Sequence, residues 1–230
     1  MLRFITADRL VDHPRLADSM FRDRAAQFRD RLGWEVTVDA RGHERDAYDE
    51  CGPIYAIWQR PDGRHGGSMR FLPTTGPVMV NDHFGHLTDQ PLSAPDLWEC
   101  TRFCLAPGAG LAISAALMQG AVTTGLGVGA RRLVGVFDAR MVRIYRRLAW
   151  QPRVLASCGS GRQAISLGLW QVMPHVPHAL ARPSGVAPDL ARHWWRRGGL
   201  GGAGGDGRAR PALAPGIVPA MAPDPAPRAA

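Results

Sequence analysis

Lysine is missing altogether from this chain of 230 residues: all 28 basic positions are arginine, set against 20 acidic ones for a formal net charge of +8. In a chain rich in Ala, Gly and Pro, that bias reads as the mark of a GC-rich genome more than of a ligand. The basic surface still favours acidic partners, whether nucleic acid, anionic lipid or an acidic carrier protein. Cysteine is scarce. The four residues (Cys51, Cys100, Cys104, Cys158) form no CxxC pair and have no His-rich companion spacing, so neither a zinc site nor a disulfide framework is suggested. No apolar run approaches the ~20 residues of a membrane-spanning helix, the longest being about Leu111 to Met118. The opening MLRFITADRL has no signal-peptide core, so a cytoplasmic protein is expected. With 45% hydrophobic residues the chain can fill a real core, which excludes a small disulfide scaffold and a wholly disordered chain.

From Gly198 onward 8 Gly, 6 Pro and 9 Ala make up 23 of 33 residues, and no periodic apolar face survives. This predicts a folded unit over 1–197 and a disordered Gly/Pro/Ala-rich tail over 198–230. Within the folded part MLRFIT reads as a strand. Arg15 to Leu32, with Leu16, Met20, Ala25 and Phe28 at helical spacing, reads as one or two helices ended by Gly33. WEVTV, PIYAIWQ and SMRFLP follow as strands, the last two flanking a Pro-Asp-Gly turn. WECTRFCL is a further strand, Ile113 to Thr124 a helix, RRLVGVF a strand, ARMVRIYRRLAW an amphipathic helix and RQAISLGLWQV a late strand. That order predicts an α+β sheet covered by helices on both faces, not a repeating βαβ nucleotide-binding unit.

Several residues could carry chemistry. Arg24 and Phe28 stand four apart on one predicted helix face, with Trp34 just past its end, so they either wall a pocket for a flat charged ligand or belong to the core and surface. Glu44, Asp46 and Asp49 in ERDAYDE either attract a cationic ligand or pair with arginines. Strand alternation in WECTRFC places Glu99, Thr101 and Phe103 on one face and Trp98, Cys100 and Arg102 on the other. A partly buried Glu99 would suit a general base. The glycines of TTGLGVGA read as a helix end, not a phosphate loop, and His175 and His178 in MPHVPH as loop residues.

Taken in order, Arg24, Phe28, Trp34, Glu44-x-Asp46-x-x-Asp49, Arg70 in SMRFLPTTGPVM, Phe84 in NDHF and Glu99-x-x-Arg102-Phe103 in WECTRF resemble the LuxI family of acyl-homoserine lactone synthases. The resemblance covers about residues 3 to 175. It implies the fold of the GNAT acyltransferases, a three-layer α/β/α sandwich with a mixed, mostly antiparallel sheet. It also implies transfer of an acyl chain from acyl carrier protein to the amine of S-adenosylmethionine, then lactone closure with release of 5′-methylthioadenosine. The product is a quorum-sensing signal. S-adenosylmethionine is here a substrate, and no cofactor or metal is implied.

On this resemblance Arg24, Phe28, Trp34, Asp46, Asp49, Phe84, Thr101 and Phe103 bind substrate. Glu99 is the base, its position set by Arg102 and Arg70. An amine of α-amino type, with a pKa of roughly 8, is mostly protonated near neutrality and needs such a base. Members that prefer 3-oxo chains carry Thr where LVGVF places Gly135, which points here to unsubstituted or 3-hydroxy chains. Two other readings remain. A GNAT N-acetyltransferase using acetyl-CoA would carry a basic or amide residue heading its pyrophosphate loop, which CLAPGAGLA lacks; a nucleic-acid-binding module would group its arginines on one element, whereas these are spread along the chain.

Overall fold

A computed structural model describes residues 1–161 and 164–201, with the backbone alone at 139 and 140. Seven strands, β1 (Leu2–Thr6), β2 (Ile54–Gln59), β3 (His65–Pro73), β4 (Leu97–Leu105), β5 (Arg132–Asp138), β6 (Arg153–Cys158) and β7 (Ile165–Gln171), form one sheet in the order β1-β2-β3-β4-β5-β7-β6. Every neighbouring pair is antiparallel except β4 with β5. The helices are α1 (Pro14–Ala25), α2 (Met79–Phe84), α3 (Leu111–Gly127), α4 (Ala139–Arg147), α5 (Val176–Ser184) and α6 (Pro188–Trp195). This is the expected sandwich with a mixed, mostly antiparallel sheet.

Local chemistry sets the boundaries. Pro14 opens α1 at a position where a missing N–H costs nothing, and the chain leaves its π-helical extension through Gly33 at φ +68°. The β2–β3 hairpin closes with Arg60 N–H donating to the Arg64 carbonyl at 2.9 Å, over Gly63 at φ +81°. α3 carries no charged residue, because it is packed between the sheet and the outer pair α5 and α6. One sheet face holds Ile5, Tyr55 and Ile57 in a cluster with α1 residues, and Leu72, Leu97 and Val134 in a cluster with Val80 of α2. The other face holds Leu2, Phe4, Met69, Phe71, Leu133 and Trp170 in one core with α3 and α4.

Four departures from the sequence reading have physical causes. WEVTV is not a strand: only Val38 bridges to Glu44, since no neighbouring strand offers it a ladder. RVLASC, to which the sequence pattern assigns no element, is the edge strand β6, largely exposed and therefore without an apolar signature. MPHVPH is a loop only as far as His175, the residue before α5; His178 lies within the helix, Pro177 being placed in the first turn where proline is tolerated. The alternation in β4 breaks at a bulge, described below. Beyond Arg197, the Gly198 carbonyl accepts from Arg9 at 3.1 Å; the tail expected over 198–230 otherwise lies, from residue 202, outside the described residues.

Candidate active site

Three arginines and three carboxylates gather on the α1 face of the sheet. Arg24, in the last turn of α1, donates through Nη1 and Nη2 to both oxygens of Asp49 at 2.9 Å and through Nε to Glu44. Asp46 caps a short 3₁₀ turn (Ala47–Glu50), accepting from the Tyr48 and Asp49 amides, while Asp49 accepts from the Asp46 amide. Arg70 of β3 donates to Thr101 Oγ1 at 3.1 Å, to Asp49 at 2.9 Å and to both oxygens of Asp46. Arg102 of β4 completes the set, its Nη2 lying 2.7 Å from Asp46 and 3.1 Å from Glu44. Of the two uses open to the acidic segment, pairing with arginines is therefore the one the fold adopts.

Burial by itself would raise the Asp49 carboxyl. The adjacent Arg24 and Arg70 guanidiniums overcome it and hold the group well below the usual carboxylate range. Asp46 is likewise lowered by Arg70 and Arg102 against its burial.

Arg102 reaches this network because the strand is irregular. Between Ser68↔Cys104 and Arg70↔Thr101 the ladder gains one residue on β4, and Arg102 takes φ +53°, the one positive φ among the described non-glycine residues. The bulge resets the alternation. Arg102 joins Glu99 and Thr101, whereas Phe103 moves to the α3 face with Trp98 and Cys100, the reverse of the sequence expectation for both residues.

Glu99 is not held by Arg102 or Arg70, again against expectation. Its Oε1 accepts from the Val80 amide at 2.6 Å and its Oε2 from the Met79 amide at 3.1 Å. Burial pushes its carboxyl up to about 7, although the Val80 amide, Arg70, the Met79 amide and Arg102 all pull the other way.

The parallel pairing of β4 and β5 runs only from Leu97↔Arg132 to Glu99↔Val134, and beyond it a cavity of about 150 Å³ opens. Phe28, Trp34 and Arg31 line it from the α1 side, Met118 and Ala121 from α3, and Met141, Ile144 and Tyr145 from α4, so it passes through the sheet. Phe28 and Trp34 stack at 5.1 Å and 12°, and the Arg102 guanidinium lies 5.3 Å over the Phe28 ring. Of the residues singled out from sequence, Phe28, Trp34, Thr101, Arg102, Phe103 and Gly135 line this cavity. Arg24, Arg70, Asp46 and Asp49 stand behind it in the ion network, Glu99 at the last parallel rung, and Phe84 at the far end of α2 against the second core cluster.

Sequence reasoning missed Met79 and Val80, which act through main-chain groups, and the aromatic wall of Phe137, Tyr145, Trp150 and Trp170. The spacing of Met141, Ile144 and Tyr145 along an amphipathic helix was the one usable signal for that chamber.

A seven-strand sheet with one splayed parallel pair is the architecture of the GNAT fold. An N-acetyltransferase structure from Lactobacillus plantarum shares the fold at TM-score 0.51 and 15% identity, over 75% of this chain and 99% of that one. Residues 8–172 match the autoinducer synthase family. The chain belongs to that family, as an acyl-homoserine-lactone synthase. An acyl-homoserine-lactone synthase of Rhizobium etli is 46% identical over 180 residues, covering 75% of this chain and 84% of the relative. Among solved structures, the CoA-dependent synthase MesI superposes at TM-score 0.71 with 23% identity, over 81% of this chain and 96% of that one. BjaI with SAM and isopentyl-CoA superposes at 0.70 with 22% identity, over 81% and 90%.

Proposed function

We propose that the chain transfers an acyl group from an acyl carrier protein thioester to the amine of S-adenosylmethionine and closes the lactone, with Glu99 as general base. The observation that carries this is the place of Glu99. It sits at the last parallel rung, two residues from Thr101 and hydrogen-bonded to the Met79 amide, and Thr101 and Met79 both line the cavity. From there it takes the amine proton directly or through one water as the amine attacks the thioester carbon. Strand amides freed where β4 leaves β5 are placed to meet the developing oxyanion. Phe28, Trp34 and Arg102 offer aromatic faces and a guanidinium to the adenine and carboxylate of S-adenosylmethionine. Lactonisation asks mainly for orientation, because the carboxylate oxygen attacks intramolecularly and a neutral thioether leaves.

A carrier protein as donor is supported by α4. Its Arg143, Arg146 and Arg147 are exposed, while Tyr145, Ile144 and Met141 of the same helix line the cavity; the side chain of the helix's fourth arginine, Arg140, which we include in the same docking face, lies outside the described ones. An acidic carrier docked there would deliver its thioester beside the acyl chamber. Raising salt is expected to raise KM for the acyl carrier several-fold with KM for S-adenosylmethionine unchanged, and charge reversal at Arg143 and Arg147 to do the same at low salt. Faster turnover with acyl-CoA, and no effect of the reversal, would assign the donor to coenzyme A, the donor class of the CoA-dependent synthase MesI.

Gly135 bears on the acyl chain. A Cβ there would lie 2.7 Å from the Cys100 carbonyl oxygen and 3.6 Å from the Trp170 ring, so β4 and β5 approach too closely for any side chain. Products without a 3-oxo group are expected. Gly135→Thr should lower turnover at least about tenfold with every chain tested, since it displaces backbone at the reacting centre. Mass spectrometry of the products checks this; a gain of 3-oxo product would sink it.

A further inference from the structure

Neither arginine near Glu99 reaches it. Arg70 is committed to Thr101, Asp46 and Asp49, and Arg102 to Glu44 and Asp46. The two oxygens of Glu99 are held instead one by one, by the amides of Met79 and Val80. Those amides belong to a segment fixed at several points. Val78 and Val80 are buried in the core, Asn81 exchanges two hydrogen bonds with the Leu92 backbone at 3.0 and 2.8 Å, and Asp82 accepts from the Tyr48 hydroxyl at 2.7 Å. Tyr48 in turn lies under the Arg70 guanidinium, at 5.4 Å from its centre. The six-residue helix α2 is thus tied to the core, to the following loop and to the ion network, and it turns two main-chain donors onto one side chain.

We infer that the main-chain N–H groups of Met79 and Val80 are the positioning groups of Glu99, fixing the orientation of its carboxylate and favouring its ionised form. The kinetic consequence rests on Glu99 being the base; the positioning itself does not. Two N–H donors stabilise a carboxylate and not a carboxylic acid, so they oppose what burial does to the same group. The other groups around Glu99 are Arg70 of β3, Arg102 and Cys100 of its own strand, and Tyr48; Asp82 and His83 belong to α2 itself. Glu99 makes no hydrogen bond to any of them, which leaves the two amides as its direct partners among the described residues.

Met79 permits a clean test. It is the first residue of α2, where proline is tolerated, and Val78 before it is extended at φ −143° and ψ 141°, as a residue preceding proline must be. Met79→Pro therefore removes one donor to Glu99 within a backbone that accepts it, its ring Cδ taking the place of the amide hydrogen and displacing Oε2, and Met79→Ala removes only the side chain. With glutamate labelled at its carboxyl carbon, four signals are expected, from Glu35, Glu44, Glu50 and Glu99, the last identified by its loss in Glu99→Gln. In the unmodified protein the amide protons of Met79 and Val80 should titrate with the Glu99 midpoint, a measurement independent of how any variant folds.

Met79→Pro should tighten proton binding at Glu99 at least about threefold, with the acid limb of kcat/KM moving to higher pH by the same factor, while Met79→Ala leaves the midpoint where it was. Amides that do not follow Glu99, or equal midpoints in the Pro and Ala variants, would overturn the inference. A midpoint that moves in Met79→Pro while the acid limb stays put would uphold the positioning and remove Glu99 from the role of base.

Discussion

Replacing Glu99 by Gln is expected to lower turnover about 100-fold or more at pH 7 while leaving the affinity for S-adenosylmethionine nearly unchanged. The residue stands at the last parallel rung and is not among the side chains that line the cavity, so it contributes to proton transfer more than to binding. The pH dependence carries the sign of a base. With its carboxyl pushed up to about 7 by burial, Glu99 is increasingly protonated below that pH, and kcat/KM should fall about tenfold per pH unit on the acid side. The glutamine is close in shape but not in hydrogen bonding. Its NH2 group can accept neither the Met79 nor the Val80 amide, so one of the two donors is left without a partner. A stability loss of roughly 1–3 kcal/mol should accompany the substitution, and for that reason binding of S-adenosylmethionine is measured directly beside turnover. Wild-type turnover in Glu99→Gln, or an acid limb that survives in it, would reassign the role.

How far these features could be read in advance depends on how local their causes are. The β2–β3 hairpin and the end of the π-helical extension of α1 are written in Pro61-Asp62-Gly63 and Gly33, residues whose backbone preferences act within a few positions. WEVTV shows the limit of such preferences: it has the composition of a strand, but a strand exists only where another chain segment offers its hydrogen bonds, and here Trp34 stacks on Phe28 instead. The β4 bulge has no signal in composition, since an arginine occupies the left-handed position where glycine or asparagine would announce it. It is held there by Asp46 and Glu44, which arrive from a loop more than 50 residues away.

The same reasoning divides the site. Side chains of unusual type for their place, such as Glu99 in an apolar strand or three carboxylates in six residues, could be singled out from sequence alone. The groups that orient Glu99 could not, because a backbone amide looks the same at every residue and only the fold aims it. Nor could the sequence say which arginine serves which acid. That assignment follows from the register of β3 against β4, where Arg70 stands opposite Thr101, and from α1 presenting Arg24 to Glu44 and Asp49.

Arg24→Met should cost about 3–5 kcal/mol of folding stability, a large share of the 5–15 kcal/mol typical of a native domain. Arg24 is 1% exposed and makes three hydrogen bonds to Glu44 and Asp49, whose side chains are fully buried. Removing it leaves carboxylates in the interior with only Arg70 and Arg102 to balance the three acids. The deficit comes from uncompensated charge more than from lost packing, since Met nearly fills the aliphatic volume. Arg24→Met combined with Glu44→Gln and Asp49→Asn should therefore be more stable than Arg24→Met alone, which urea unfolding of the three proteins can show. A combined variant no better than the single one would mean that packing, and not charge, sets the cost.

Acid should act on the network with a definite sign. The folded-state pKa of Asp49 is depressed relative to its unfolded value of about 3.9, so the stability it confers is fully present above that value. It is lost as pH falls below about 4 towards the folded-state pKa. In Arg24→Met the largest Coulombic contribution holding that carboxyl down is gone. The variant should accordingly lose less stability than the parent between pH 4 and pH 2, and the two unfolding midpoints should converge as the solution is acidified. Parallel curves over that range would place the depression of Asp49 elsewhere than in its pairing with Arg24.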